Sequence, residues 1–182
     1  MSALLEADRS LLLVVDVQER LAPAMDGGDA ALARTLLLVE AARTLRVPIV
    51  VSEQYPAGLG PTLAPLLERL GEVERLPKTH FSCADDPAIR ERVFAAGRRQ
   101  IIVVGMEAHV CVLQSALGFA AQGLATYVVD DAVASRRASD KSAGLARMRD
   151  AGTAVVTSEM VVFEWLGRAG TPEFKALSRA VK

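Results

Sequence analysis

The stretch 100-QIIVVGMEAHVCVLQSA-116 decides the fold, because a strand-like apolar run passes into a helical pattern within a few residues. The run 100–105 is rich in Val and Ile, which is typical of a buried strand. Cys111 lies just inside the helical pattern that follows. A cysteine at a helix N-terminus feels the positive end of the helix dipole and unpaired backbone N–H groups, and both favour the thiolate. Its position alone therefore predicts that Cys111 is a nucleophile with a lowered pKa.

Short apolar runs of the same kind recur along the whole chain and alternate with helical patterns. The runs predicted to be strands are 11–15, 48–51, 73–76, 101–104, 125–129 and 153–156. The patterns predicted to be helices include 29–45, 87–96, 110–122 and 139–150. Strands that are apolar on both faces and alternate with helices build a parallel sheet with helices on both sides. The predicted fold class is therefore α/β, in three layers.

Two charged residues follow apolar runs in the same way that Cys111 does. Asp16 ends the run 11–15, and Lys78 comes shortly after the run 73–76. In such sheets the residues that meet a ligand lie beyond the carboxyl ends of the strands, near the point where strand order reverses. Asp16, Lys78 and Cys111 all satisfy that rule, so we expect them to lie close together.

Each of these three residues also has an ordinary structural interpretation. Cys111 would be a small buried apolar residue, Asp16 a capping carboxylate and Lys78 a solvated charge. Their shared position favours chemistry instead, because a carboxylate that ends an apolar run is costly to bury without a partner. Asp16 would accept the thiol proton, Lys78 would hold Asp16 and favour the thiolate, and the backbone N–H of Cys111 would face an oxyanion.

Composition limits the classes of partner. The 182 residues predict a single domain, 1–182, with a sizeable core. The net charge is −1, from 21 basic and 22 acidic residues that are interspersed. This balance predicts a small-molecule substrate and neither nucleic acid nor a membrane surface as partner. No apolar stretch approaches the roughly 20 residues that span a bilayer. The start lacks a signal-peptide pattern and two cysteines suggest no disulfide scaffold, so we predict a cytoplasmic protein.

Three separated segments carry a resemblance to a known family. They are 14-VVDVQ-18, 77-PKTHFS-82 and 103-VVGMEAHVCV-112. Together they resemble the isochorismatase-like cysteine hydrolases, in which Asp, Lys and Cys occur in this order and at this spacing. The resemblance covers nearly the whole chain, including 53-EQYP-56 and the tail, and looks closest to the isochorismatase domain-containing subgroup.

The resemblance implies a fold and a set of site residues. The fold would be a Rossmann-like isochorismatase fold with a six-stranded parallel sheet in the order 3-2-1-4-5-6. The catalytic residues would be Asp16, Lys78 and Cys111. A non-proline cis peptide is implied at Met106-Glu107, and the backbone N–H groups of Glu107 and Cys111 would form the oxyanion hole.

Departures from better-known relatives refine the expected chemistry. Nicotinamidases carry an Asp-x-His metal site after the second strand, and this chain has 52-SEQY-55 there. With only His80 and His109 available, we predict no metal and no cofactor. Isochorismatase proper, a vinyl-ether hydrolase, lacks the nucleophilic cysteine. Retention of Cys111 therefore favours attack on an amide or related C–N bond.

Weaker signals concern the pocket, the second cysteine and the C-terminus. Side chains near the three residues in sequence are candidates for the substrate pocket, although most could equally be packing: Gln18, Tyr55, Phe81 and His109. Cys83 is predicted to be structural. The stretch 159–182 predicts two helices separated by 167–171, an arm that often packs on a neighbouring subunit, and hence a homo-oligomer.

The leading hypothesis is a cysteine-dependent hydrolase that works through an acyl-enzyme intermediate. Three alternatives stay open at this point. The first is a non-catalytic scaffold or oligomeric protein of the same fold, and the second is a nicotinamidase-type or isochorismatase-type hydrolase. The third is a redox-sensing pair of thiols formed by Cys111 and Cys83.

Overall fold

The computed structural model describes residues 4–181, which form six strands and eight α-helices. The strands are β1 (Ser10–Val15), β2 (Ile49–Gln54), β3 (Arg75–Lys78), β4 (Gln100–Met106), β5 (Ala125–Ala134) and β6 (Ala154–Val156). The helices are α1 (Gly28–Thr44), α2 (Pro56–Leu59), α3 (Ala64–Leu70), α4 (Pro87–Ala95), α5 (Leu113–Ala121), α6 (Ala138–Asp150), α7 (Ser158–Leu166) and α8 (Pro172–Ala180). A π-helical turn, Ala108–Val112, leads into α5, and short 3₁₀ turns span Ala7–Arg9 and Ala22–Ala24.

The six strands form one parallel sheet in the order β3-β2-β1-β4-β5-β6. This confirms the predicted fold class and strand order. Every predicted strand is present, and β2, β4 and β5 each run further toward the carboxyl end than the apolar runs alone predict. Strand order reverses between β1 and β4, so the crevice beyond their carboxyl ends is the expected place for a ligand.

Strand β1 shows how the sheet separates two apolar cores. Successive side chains of a strand point to opposite faces. Leu12 and Val14 accordingly pack into the core that also contains α1, α3, α7 and α8. Leu11, Leu13 and Val15 pack into the core with α4, α5 and α6. Every residue of β1 is buried, and fully burying one such side chain contributes about 1.5–3 kcal/mol. The strand that ends at Asp16 is therefore firmly fixed.

Gly105 lets β4 lie very close to β1 beside the site. Its φ is 121°, and a Cβ at this position would be only 2.0 Å from the carbonyl oxygen of Val15. Only glycine combines this backbone conformation with such a close approach. The segment that carries Cys111 therefore leaves the sheet directly beside the end of β1.

The structure differs from the sequence predictions at several helix boundaries. Helices α2 and α3 were not among the predicted helices. The predicted helix 110–122 begins as the π-helical turn and becomes α-helical at Leu113. Helix α6 begins at Ala138, one residue before the predicted start, and its N-cap residue Arg137 makes no side-chain capping bond. Such local features depend on neighbouring elements, which is why pattern alone misplaces them.

The C-terminal arm consists of α7 and α8, as predicted. Trp165 and Leu177 bury these helices against α1 of the same chain. Phe163 remains 40% exposed, beside Phe174 at a ring-centroid separation of 6.4 Å. The packing of this arm on a second subunit stays a prediction. Across residues 4–181, no helix has both the length and the apolar character needed to cross a membrane.

Candidate active site

Asp16 lies directly after β1, with its side chain fully buried. Its φ of 54° is in the left-handed region, which Asp tolerates better than most residues. The backbone N–H of Asp16 donates to the carbonyl of Ser52 at 3.2 Å, and the Ser52 hydroxyl donates to Asp16 Oδ1 at 2.7 Å. The end of β2 therefore holds this carboxylate from one side.

Lys78, the last residue of β3, holds the other carboxylate oxygen. Its Nζ lies 2.8 Å from Asp16 Oδ2, and both side chains are fully buried. The same ammonium donates to Gln54 Oε1 at 2.5 Å and to the carbonyls of His80 and Phe81 at 3.2 Å. Burial by itself lowers the pKa of Lys78, but electrostatic interactions, that with the Asp16 carboxylate first, outweigh it and raise that pKa. Lys78 is therefore a charged donor whose bonds are all committed.

Cys111 lies in the π-helical turn and completes the cluster. Its thiol interacts with the Asp16 carboxylate, and only 3% of the residue is exposed. Burial, followed by the negative charge of Asp16, raises the pKa of Cys111, while Lys78 acts in the opposite direction. The prediction of a lowered thiol pKa is therefore wrong, because burial and a neighbouring carboxylate outweigh the helix terminus. The raised pKa favours the protonated thiol in the resting site.

Glu107 connects β4 to the π-helical turn and is held through both its backbone and its side chain. The Met106-Glu107 peptide bond is cis, as the family resemblance implied. The Glu107 carbonyl accepts from the N–H groups of Val110 and Val112 at 3.1 and 3.2 Å. The Glu107 carboxylate pairs with Arg136 Nε at 2.8 Å. Residue 107 is thus fixed through both its carbonyl and its side chain.

Gln18, a predicted pocket residue, is buried and fully engaged with backbone groups. Its amide nitrogen donates to the carbonyls of Gln54 and Gly60, at 3.0 and 2.7 Å. Its amide oxygen accepts from the N–H of Gln54 at 2.7 Å. In this arrangement Gln18 ties the loop after β2 to the end of β1. Its predicted contact with substrate would require one of these bonds to open.

His109 contacts a neighbouring side chain, whereas the two aromatic candidates for the pocket are largely exposed. His109 Nδ1 lies 3.0 Å from Ser135 Oγ, and α6 packs closely on its backbone at Gly144. Tyr55 and Phe81 are 58% and 55% exposed. Tyr55 lines a cleft of about 360 Å³ that also contains Lys78. Phe81, Asp16 and Cys111 are not part of its lining, so the cleft lies beside the cluster on the Lys78 side.

Sequence reasoning missed two direct contacts of the cluster, those of Ser52 and Gln54. Both belong to the segment 52-SEQY-55, which stood out only for lacking the Asp-x-His ligands. The signal that could have found them is their position at the carboxyl end of the strand beside β1. Within residues 4–181, no group of three or more His, Cys, Asp or Glu side chains is arranged to hold a metal ion.

These observations define an α/β protein with a buried thiol–carboxylate–lysine cluster in the crevice where strand order reverses. The sequence model of the isochorismatase domain matches residues 10–160. The chain therefore belongs to the isochorismatase family. Membership of this family supports a hydrolase role.

Curated relatives match over almost the whole chain. Isochorismatase domain-containing protein 2 of Pongo abelii is 36% identical over 174 residues, which is 95% of this chain and 83% of that protein. Isochorismatase domain-containing protein 1 of Salmo salar is 35% identical and covers 92% of this chain, which spans 59% of that protein.

Two solved structures show the same architecture. A structure described as the MAR1 ribonuclease of Caenorhabditis elegans has a TM-score of 0.92 and 34% identity, covering 98% of this chain and 92% of its own. An octameric hydrolase of unknown specificity from Escherichia coli also has a TM-score of 0.92, covering 99% and 91%. That protein is only 22% identical, so the likeness concerns the fold alone.

Proposed function

We propose that this protein is a cysteine-dependent hydrolase that cleaves an amide or related carbon–nitrogen bond of a small molecule through an acyl-enzyme intermediate. One observation carries the proposal. A buried thiol interacts with a carboxylate that is itself paired with a buried lysine at 2.8 Å. A nucleophile with an adjacent base, oriented by a third group, is the general arrangement for covalent catalysis.

The first half of the reaction transfers an acyl group to sulfur. Cys111 Sγ attacks the substrate carbonyl carbon as its proton passes to Asp16. The tetrahedral intermediate collapses when the carbon–nitrogen bond breaks, and Asp16 returns the proton to the departing nitrogen. Ammonia or an amine leaves, and a thioester remains on Cys111.

In the second half, Asp16 takes a proton from a water molecule that attacks the thioester. The carbon–sulfur bond then breaks, the acid leaves, and the proton returns to sulfur. Lys78 stays protonated throughout and holds Asp16 through the 2.8 Å ion pair. Its positive charge also favours the transient thiolate.

We assign the oxyanion hole to the backbone N–H groups of Glu107 and Cys111. Their position in the connection that carries the nucleophile supports this assignment, as do the bonds that fix residue 107. Donors held rigidly before the reaction stabilise developing charge most effectively. The family resemblance implies the same two groups.

The cleft beside Lys78 supports a small substrate. Its volume of about 360 Å³ is at the lower end of the range for small-molecule pockets. Tyr55 and Phe81 offer apolar surface around this part of the molecule, and we propose that both contact substrate. His109 and Gln18 stay proposed substrate contacts.

The name of the C. elegans structure makes RNA the second candidate substrate. A net charge of −1 with interspersed charges gives RNA no evident basic surface, so an amide is favoured as the substrate.

We also propose a homo-oligomer, because Met160 and Phe163 expose apolar surface on α7. Light scattering of the purified protein tests the oligomer directly.

The test of function begins with an activated acyl donor, p-nitrophenyl acetate, and intact-protein mass spectrometry. We expect one acetyl group on Cys111 and none on Cys83, which serves as a control thiol within the same molecule. A panel of primary amides follows, with ammonia release as readout and RNA tested in parallel. Cys111→Ala and Cys111→Ser should abolish turnover. Cleavage of RNA by Cys111→Ala, or a thiol that p-nitrophenyl acetate never acetylates, contradicts the proposal.

A further inference from the structure

Ser52, on β2 beside the end of β1, is a fully buried serine that the proposed mechanism does not use. Ser52 pairs with Val15, the last residue of β1, so it lies next to the end of that strand, which Asp16 follows directly. Its hydroxyl donates to Asp16 Oδ1 at 2.7 Å. Lys78 occupies Oδ2, so Ser52 is the second donor that fixes the orientation of this carboxylate.

The thiol of Cys83 interacts with the side chains of Ser52 and Ser115, and Cys83 is fully buried. Burial, followed by the charge of Asp16, raises the pKa of Cys83 to about 11. The raised pKa favours the protonated thiol at neutral pH, while the Ser52 hydroxyl donates its proton to Asp16.

Ser115 connects this chain to the helix behind the nucleophile. It lies four residues after Cys111, and its hydroxyl accepts the backbone N–H of Cys83 at 2.8 Å. The segment around Cys83 also packs tightly on α5, since a Cβ on Gly118 would lie 2.7 Å from the Cβ of Ala84. The position of Cys83 is therefore coupled to the position of α5.

We propose that Ser52, Cys83 and Ser115 form a buried polar chain that holds the Asp16 carboxylate in register with α5, the helix that follows Cys111, with Ser52 as the positioning residue. This inference rests on the proposed function. The chain joins the ends of two elements that are distant in sequence, β1 and α5, through polar groups in an otherwise apolar core. Hydrogen bonds in such surroundings reinforce each other when every group has a partner.

Without the Ser52 hydroxyl, Asp16 would keep its ion pair with Lys78. It would lose the hydrogen-bond donor that fixes the rotation of its carboxylate group. Proton transfer needs the carboxylate within hydrogen-bonding reach of the thiol, so a misdirected carboxylate slows the step. Substrate contacts would be untouched, because Ser52 is fully buried. The effect should therefore fall on kcat and leave KM almost unchanged.

The experiment compares Ser52→Thr with Ser52→Val, which have the same shape and differ in the hydroxyl. The readout is release of p-nitrophenolate from p-nitrophenyl acetate by the full chain. We expect the threonine variant to stay within about threefold of the unaltered protein and the valine variant to lose about tenfold in kcat, as expected for one hydrogen bond to a charged group. Ser82→Ala is the control, since within residues 4–181 the hydroxyl of this buried serine bonds only backbone groups, those of Gln114 and Ala84.

Thermal unfolding of every variant shows whether the threonine and valine proteins are equally folded. If the valine protein does not fold, Ser52→Ala replaces it. Equal rates for the threonine and valine variants, with Asp16→Asn inactive, overturn the positioning role and leave the proposed function standing. An Asp16→Asn variant that is as active as the unaltered protein shows instead that the proposed function has failed.

Discussion

The two cysteines of this protein occupy neighbouring and similar surroundings, yet they differ in what they can do. Both are buried, both have a raised pKa, and both interact electrostatically with Asp16 and Lys78. The side-chain partner of Cys111 is the Asp16 carboxylate itself, whereas the partners of Cys83 are the serines Ser52 and Ser115. Cys111 also keeps 3% of its surface exposed, and Cys83 keeps none.

The comparison teaches that neither burial nor the sign of the pKa shift separates a nucleophile from a structural thiol. What separates them is the partner. A serine hydroxyl fixes a thiol in place, whereas a carboxylate can also take its proton. A thiol that rests in the protonated form is activated only when the base acts during the attack.

Asp16→Asn is expected to have the largest effect. It should slow turnover and, at the same time, allow alkylation of Cys111 at lower pH. Turnover should fall by about 100-fold or more, because the variant lacks the general base. Alkylation of Cys111 by iodoacetamide should shift to lower pH, since the charge and hydrogen bond of Asp16 hold that thiol pKa up. Peptide mass spectrometry across a pH series measures the shift.

The matched control for this change is Asp26→Asn, at an exposed aspartate of the same region. It should leave both turnover and the alkylation profile as they are. An alkylation profile of Asp16→Asn that moves to higher pH would mean that Asp16 activates the resting thiolate and does not act as a base on the thiol.

Lys78→Met should have the next largest effect. The positive charge of Lys78 lowers the pKa of both thiols, so its removal should move alkylation of Cys111 to higher pH, opposite to Asp16→Asn. Asp16 would also be left as a buried charge without its ion-pair partner, which should cost about 3 kcal/mol in the free energy of unfolding.

Urea unfolding measures the loss of stability, and iodoacetamide labelling measures the pH shift. Lys175→Met, at an exposed lysine on α8, provides the control for loss of one positive charge. A Lys78→Met protein with the stability and alkylation profile of this control would remove Lys78 from the cluster.

Substitution of Cys83 is expected to have the smallest effect. Cys83→Ala removes the shared partner of Ser52 and Ser115, and we expect about a threefold slower acetylation of Cys111 and a loss of about 1 kcal/mol in unfolding free energy. Cys83→Ser, which can still bond both serines, should lie closer to the unaltered protein. Kinetics with p-nitrophenyl acetate and urea unfolding provide the two readouts. A loss as complete as that of Asp16→Asn would make Cys83 part of the chemistry and would erase the contrast between the two thiols.

Much of the fold followed from local pattern. The apolar runs predicted all six strands, because strands buried on both faces must be apolar throughout. The family resemblance supplied the strand order and the cis bond at Met106-Glu107. Helix α3 was missed, and the start of α5 was misplaced by a few residues, because those boundaries depend on packing against other elements.

The sequence by itself determined which residues stand at the strand exits, Asp16, Lys78 and Cys111 among them, since the order of apolar runs fixes where each strand ends. Only the tertiary structure decided that Ser52 and Gln54 hold the carboxylate and the lysine, and that the thiol pKa rises. The physical reason is that burial and charge interactions depend on distances between segments far apart in the chain. A helix terminus is visible in the sequence, but the desolvation that outweighs it appears only when β1, β2, β3 and β4 come together.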